Sequence, residues 1–468
     1  MKIKTIVIYS VLGLSLVCTQ LSAQTKLPDL ISYSLEHSRD IKKAELQHKE
    51  ASYLYKEVRG NGLPQIEATA SYSKMMLPEI EIPGGAGDRL GGMLDMIINE
   101  NVSADTKQAL KDQLTGSLNG LSGLDALYTA SAGIQVTQLI YSQSYWTGLK
   151  TAKKTKELYA LLKTKTEEDV IAEVASGYYQ AGSLMLQLQT INKSLDNLKE
   201  IHRIAELSYK NDLTKETNVN RLKVSISNLQ VTRQTIQNGI TIQLNYLKAL
   251  AGMPSDTLIA IDTTAMITDF VASRNDASFS VNNVPSFQVL LKQNEVYGQQ
   301  IKSSQAKYYP TLAAFGQFNF SSYSTTGSID RLSNMNTIGL NLSVPIFTSG
   351  VNSSKVKQAK LKQAQLQEDI LKTQDLLTVN YNNAYLEYQT SRDMLAAQKE
   401  NRELAQKVYN QTSLQYQEGM ASMADLLNVN SDFLQADNSY NQQVLKCKTS
   451  EINMLKASGN LKSLVNNK

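Results

Sequence analysis

Few residues in this chain have the types and spacing that catalysis or metal binding demands. The three histidines, His37, His48 and His202, are scattered with no ligand spacing. The two cysteines are Cys18 and Cys447. Cleavage before Gln24 would leave Cys447 alone, and one cysteine makes neither an intrachain disulfide nor a zinc site. No nucleophile elbow, phosphate loop or HExxH run occurs. Asp and Glu are spaced along helix-like stretches, the pattern of a solvated face. One acid stands apart. Asp425 follows Gly419 by six residues, in a break between two long helix-like runs, and Asn428 lies three residues further on. Asp is favoured at helix N-caps, so its simplest role is to cap the returning helix. These features point away from an enzyme and predict no cofactor and no metal.

The elements that must position such residues are unusual. The chain has 468 residues, with 47 Lys and Arg against 43 Asp and Glu. That near-balance gives no polyanion-binding field, which argues against nucleic acid. Residues 1–23 read as a secretory signal: Lys2 and Lys4, an apolar run from Thr5 to Val17, then Leu21-Ser22-Ala23 before the cut. A lipidated Cys18 is the alternative, although Val17 precedes it where a small residue is expected. No later stretch reaches the roughly 20 apolar residues of a spanning helix. None of the eight prolines lies between 84 and 253 or after 345, which permits long helices. Residues 148–208 and 353–414 read as two of them. In the second, Leu366, Ile370, Leu377, Tyr381, Ala384, Tyr388 and Leu395 form one apolar stripe, as in coiled-coil packing.

Four short stretches alternate with a period of two and read as strands: 65–72, 134–141, 311–320 and 338–344. The chain also repeats itself. Gly133-Ile134-Gln135-Val136-Thr137 corresponds to Gly339-Leu340-Asn341-Leu342-Ser343 at an offset of 206. Tyr209 and Leu213 correspond to Tyr416 and Met420 at 207, and Pro64 to Pro310 at 246. Each half therefore reads helix, strand, loop, strand, very long helix, break, long helix. The joints "TQLIYSQS" (137–144) and "SVPIFTSG" (343–350) are the two places where a strand becomes a long helix. The fall in offset makes the first hairpin loop, 76–128, 40 residues longer than the second, with a helix-like piece around 104–118. Four strands cannot close a membrane barrel, and open edges in lipid cost several kcal/mol per unpaired group. Strands must be pooled among copies, and two, three or four copies all remain open on this count.

The duplicated half, the joint "SVPIFTSG", the break "YQEGMASMADLLNVN" (416–430) and the half-ends "LKALAGMP" and "LKASGNL" resemble the TolC-like outer-membrane efflux family, the outer membrane factors. The resemblance covers essentially the whole mature chain. It implies a homotrimer in the outer membrane of a Gram-negative bacterium. A twelve-stranded transmembrane β-barrel, four strands per chain, would be continued by a long periplasmic α-helical barrel. It also implies a first repeat over 24–250, an equatorial segment over 251–285, and a second repeat with the C-terminal equatorial end over 286–468.

The resemblance further implies where function concentrates. The breaks at 209–219 and 416–426 would be the closed periplasmic tip, where adaptor proteins dock. Gly419 suits such a turn because it tolerates positive φ, and its repeat partner Asp212 can also occupy that region. Asn211-Asp212-Leu213 and Glu418-Gly419-Met420 stand where the family has a Val-Gly-Leu motif. Asp425 and Asn428 stand at the family's acidic constriction, with Tyr416 beside it. Three copies of Asp425 would form a cation-attracting ring. The family's latch of Tyr, Arg and Asp keeps only Tyr416; Ala421 and Lys210 fill the other places. At the strand-to-helix joints the residues to watch are Gly133, Gly339, Pro345 and Gly350. The implied function is a passive, porin-like exit duct for small molecules, joined by a periplasmic adaptor (membrane fusion) protein to an inner-membrane pump of RND or ABC type. The alternative is the outer-membrane channel of a type I protein secretion system. A coiled-coil structural protein is the rival from another class.

Overall fold

The proline-free stretches do form very long helices. In the computed structural model, which describes residues 25–76, 92–93, 96, 103–121, 126–268, 279–329 and 331–466, α4 (Gln143–Lys210) has 68 residues and α8 (Val351–Gln417) has 67. Before them come α1 (Leu27–His37), α2 (Arg39–Gly60), β1 (Gln65–Met76), α3 (Ala104–Leu121) and β2 (Ala126–Ser142). Between them run α5 (Glu216–Ala251), α6 (Thr263–Thr268), α7 (Pro285–Gln305), β3 (Thr311–Ser324) and β4 (Ser333–Ser343). The chain ends with α9 (Met423–Ser458) and α10 (Ser463–Asn466). The signal peptide 1–23, with Cys18, lies outside the described residues. So do most of the loop 76–128 except α3, and residues 269–278 of the equatorial segment.

The chain divides into two compact units. One comprises residues 55–151 and 299–358 and contains a four-stranded antiparallel sheet in the order β1-β2-β3-β4. The strands are longer than the alternating stretches alone predict. In β2, the small residues of Thr129–Ala132 alternate too weakly to mark its first half. The pairing obeys the repeat. Gln65 faces Thr137 on β1·β2, and Thr311 faces Ser343 on β3·β4, which are the same pair advanced by 246 and 206. β2 and β3 fill the middle of the sheet, and β1 and β4 are its edges.

The other unit, residues 1–54, 152–298 and 359–468, is helical. Its main core gathers Leu30 and Ile31 of α1, Val174, Ala175 and Tyr178 of α4, Leu247 and Ala251 of α5, and Val444, Ile452 and Leu455 of α9. Tyr178 is buried in it. Its hydroxyl donates to the Thr25 carbonyl at 3.1 Å and accepts from the Asp262 N–H at 3.2 Å. Burial pushes its pKa up to about 12. The two repeat ends close alike. Gly252 and Gly459 both have φ 71°, and each donates its N–H to the carbonyl three residues back. A side chain at Gly252 would strike the His37 carbonyl, and one at Gly459 the Asn283 carbonyl. Those contacts are again one pair at an offset of 246. On α8 the buried and half-buried positions follow the expected stripe from Leu366 to Leu395.

Candidate functional site

The two breaks between long helices are built on one backbone plan. In the first, the Leu213 N–H donates to the Ser208 carbonyl at 2.8 Å and the Asp212 N–H to the Tyr209 carbonyl at 3.0 Å. In the second, Met420 donates to Gln415 at 2.8 Å and Gly419 to Tyr416 at 3.1 Å. This pair of bonds is the Schellman motif, which satisfies the orphan carbonyls at a helix end and needs a left-handed residue. That residue is Asp212 with φ 55° and Gly419 with φ 80°, the two positions the sequence singled out. Asn211, Asp212, Leu213, Glu418, Gly419 and Met420 are all exposed. Leu213 and Met420, equivalent in the repeat, present bare apolar side chains at 79% and 69% exposure.

The returning helices start differently. Lys215 precedes α5 and makes no side-chain cap. Its equivalent, Ser422, is the N-cap of α9 and forms a reciprocal box with Asp425. The Asp425 N–H donates to Ser422 Oγ at 3.1 Å, and Asp425 Oδ2 accepts from the Ser422 N–H at 3.2 Å and its hydroxyl at 2.6 Å. Asp425 is thus not the N-cap itself but the third helical residue, reaching back. The Ser422 hydroxyl and N–H hold its carboxyl below the usual carboxylate range. Asp425 and Asn428 are both exposed, three residues apart on one helix face. Tyr416 is half-buried against a small core shared by both turns, formed by Leu198, Ala205, Leu222, Met423, Leu426 and Phe433. Burial raises its pKa. Ala421 is half-buried and Lys210 exposed.

Polar contacts between distant helices fix α9 in the helical unit, and sequence reasoning missed them. Asp437 is 1% exposed and pairs with Arg402, and Asn441 Nδ2 donates to it at 2.9 Å. Ser194 donates to Asn430 Oδ1 at 3.0 Å, and Lys448 and Glu451 form a buried ion pair at 3.3 Å. Among the described residues, no group of three or more His, Cys, Asp or Glu could hold a metal ion. No described helix is long and apolar enough to cross a membrane.

The two joints are not alike. β2 ends at Ser142 and α4 begins at Gln143 with nothing between. After β4 ends at Ser343, residues 344–350 form neither strand nor helix before α8. Pro345 is exposed there, and Ser349 and Gly350 have positive φ, 47° and 77°. The strand glycines allow close approach: a Cβ on Gly133 would lie 2.7 Å from the Phe318 carbonyl, and one on Gly339 2.8 Å from the Phe315 ring.

A duplicated half with a β-hairpin and a helix pair of this length defines the fold of outer-membrane channels. The open-state MtrE channel of Neisseria gonorrhoeae has the same fold, with a TM-score of 0.71 at 16% identity over 94% of this chain and 91% of that one. The CmeC channel of Campylobacter jejuni gives 0.69 at 16% identity, over 93% and 85%. The outer membrane protein TolC of Salmonella enteritidis is 21% identical over 322 residues, 65% of this chain and 64% of that protein. The matched stretches span from 52% to 64% of the length of the TolC relatives from Vibrio cholerae and Salmonella enteritidis. The family model for the outer membrane efflux protein matches residues 30–253 and 280–460. The chain belongs to that family, a family of channel proteins, and is an outer-membrane protein with a periplasmic helical extension.

Proposed function

We propose that the chain is one third of a passive exit duct for small molecules, and that a periplasmic adaptor joins this duct to an inner-membrane pump of RND or ABC type. The observation that carries this reading is the four-stranded sheet with two free edges. β1 is exposed along its whole length and β4 nearly so. In lipid every unpaired N–H and C=O costs several kcal/mol, so the sheet must close with strands from other copies. Three copies give twelve strands, within the range of membrane barrels. The exposed turns suit docking. Leu213 and Met420 offer two equivalent apolar contacts per chain, six around a trimer. Asp425 sits beside the second of them and brings three carboxylates to one axis, where cations are favoured. The pump supplies the energy, and the duct needs no catalytic group. Native mass spectrometry in detergent, with conductance in planar bilayers, tests this. A trimer that opens ion-conducting pores is expected. A stable folded monomer in lipid, or trimers that never conduct, would sink it.

A further inference from the structure

The two joints should be equivalent, and their difference has a physical cause. Residues 138–142 and 344–348 correspond at an offset of 206. The first set is strand, because β2 goes on pairing with β3 as far as Ser142 opposite Thr311. The second set is irregular, and Ile346 and Phe347 stand 94% and 85% exposed, against 53% and 39% for Ile140 and Tyr141. The first set has a neighbouring strand on that side, and the second has none. The strand missing from that side of β4 is the equivalent of β3, and the equivalent of β3 is β1.

We propose that β1 of a second copy of this chain pairs with β4 in the register that β3 takes on β2, and that this pairing extends β4 through Thr348. The inference rests on the proposed trimer and adds the seam that joins its copies. The repeat sets the register. Within each half, every β1·β2 pair becomes a β3·β4 pair when advanced by 246 and 206, for example Tyr72–Ala130 and Phe318–Asn336. The same transfer turns Gln135–Gln317 into Asn341 opposite Ser71 of the next copy. It turns Tyr141–Leu312 into Phe347 opposite Ile66. Gly339 then faces Ser73, as Gly133 faces Asn319. Pro345 falls on Leu139, where the β2·β3 register shifts. A proline lacks an N–H for the ladder and is tolerated at such a bulge.

The helical unit gives an independent sign of the same missing neighbour. Between residues 152 and 190 of α4, only Lys153, Ala160, Glu173, Gln180 and Gln189 are exposed. The equivalent stretch of α8, 359–397, is exposed at most positions, including Leu361, Leu371, Leu376, Val379 and Leu386. α4 is flanked on two sides. Across one of them α7 is held by four ion pairs joining Lys154 and Lys292 to Glu157 and Glu295, at 2.9–3.4 Å. Moved through the repeat, Lys154 and Lys292 become Leu361 and Leu46, both bare at 64% and 59% exposure. A second copy would cover them with each other.

Cysteine pairs test the seam in the full-length protein in detergent. Directly opposed residues lie within reach of a disulfide, and residues two positions out of register lie about 7–8 Å apart, beyond it. Oxidation of Ser71→Cys with Asn341→Cys should link copies at least ten-fold more than Ser73→Cys with Asn341→Cys. Ile66→Cys with Phe347→Cys should link as well, and the amides of 346–348 should exchange slowly in the trimer. Preferential linking of the offset pair overturns the register. No linking at either pair in trimers seen by native mass spectrometry overturns the seam. Fast exchange at 346–348 in linked trimers overturns the extension. Monomers throughout would remove the trimer itself, and the seam with it.

Discussion

The turns at 211–215 and 418–422 have the same backbone and different chemistry. Both close with the same two hydrogen bonds, one residue at positive φ, and a bare apolar side chain just beyond it. The first turn fills the left-handed position with Asp212 and enters its helix uncapped at Lys215. The second uses Gly419 and the Ser422–Asp425 box. The bonds are made by the backbone, so the geometry survives the change of residues. What changes is how firmly each turn is held, and whether it carries an acid, since Asn218 stands where the second turn has Asp425.

The largest effect expected at the turns comes from the core beneath them. Leu426 is fully buried there, and its repeat partner Val219 is 8% exposed. Leu426→Ala should lower the local stability of the turn by about 2–5 kcal/mol. Val219→Ala should cost about 0.8 kcal/mol less, because one fewer methylene is removed. Hydrogen exchange of the 423–433 amides reads the difference. Equal protection in both variants would mean that the shared core does not hold the second turn.

Next comes the left-handed position. A side chain at Gly419 meets no neighbour within 4 Å, so Gly419→Ala isolates backbone strain, about 1–2 kcal/mol. Asp212→Gly should shift the first turn by less than about 1 kcal/mol, because Asp tolerates this region. Exchange rates around each turn compare the two, and a larger effect at Asp212 would reverse the ranking. These positions were legible in the sequence, because the repeat aligns them and few residue types accept positive φ. The long helices were legible from the absent prolines, and the strands from alternation. The capping box was also there to be read, in the spacing Ser422-Met423-Ala424-Asp425, but the acid drew attention away from the serine. The Arg402–Asp437 and Ser194–Asn430 contacts were not legible. Their partners lie 35 and 236 residues apart on separate helices, and nothing local marks them as a pair. The irregular residues 344–350 were hidden for another reason: they copy a strand-forming segment but lack the neighbour that makes it a strand.

The cap comes third. Ser422→Ala should cost about 0.5–2 kcal/mol, and the reciprocal Lys215→Ser should return about 1 kcal/mol at most to the first turn. Exchange of the first-turn amides of α5 and α9 measures both. No change on Ser422→Ala would show that the box, though formed, adds nothing to that helix start.

The smallest effect on stability, and the most informative about function, belongs to Asp425→Asn. The carboxylate is fully exposed, and an Asn oxygen can still accept from Ser422, so the turn should hold as before. Charge is what changes. In a threefold duct the substitution removes three negative charges from one narrow ring, where their potentials add and screening is poor. Cation preference in planar bilayers should fall, and block by multivalent cations should weaken, while trimers melt unchanged. The pH dependence has a definite sign. The pKa of Asp425 is lowered by the Ser422 hydroxyl and N–H, so the group remains charged below the ordinary carboxylate range. Its stabilising bonds and its selectivity are present above the unfolded pKa, and both fade as pH falls through the lowered folded value. The Asn variant should show no such fading. Unchanged selectivity with a weaker turn would make Asp425 only a partner of the cap. Asn218 and Asp425 would then differ in how they start a helix, and the asymmetry between the two turns would have no consequence for ions in the duct.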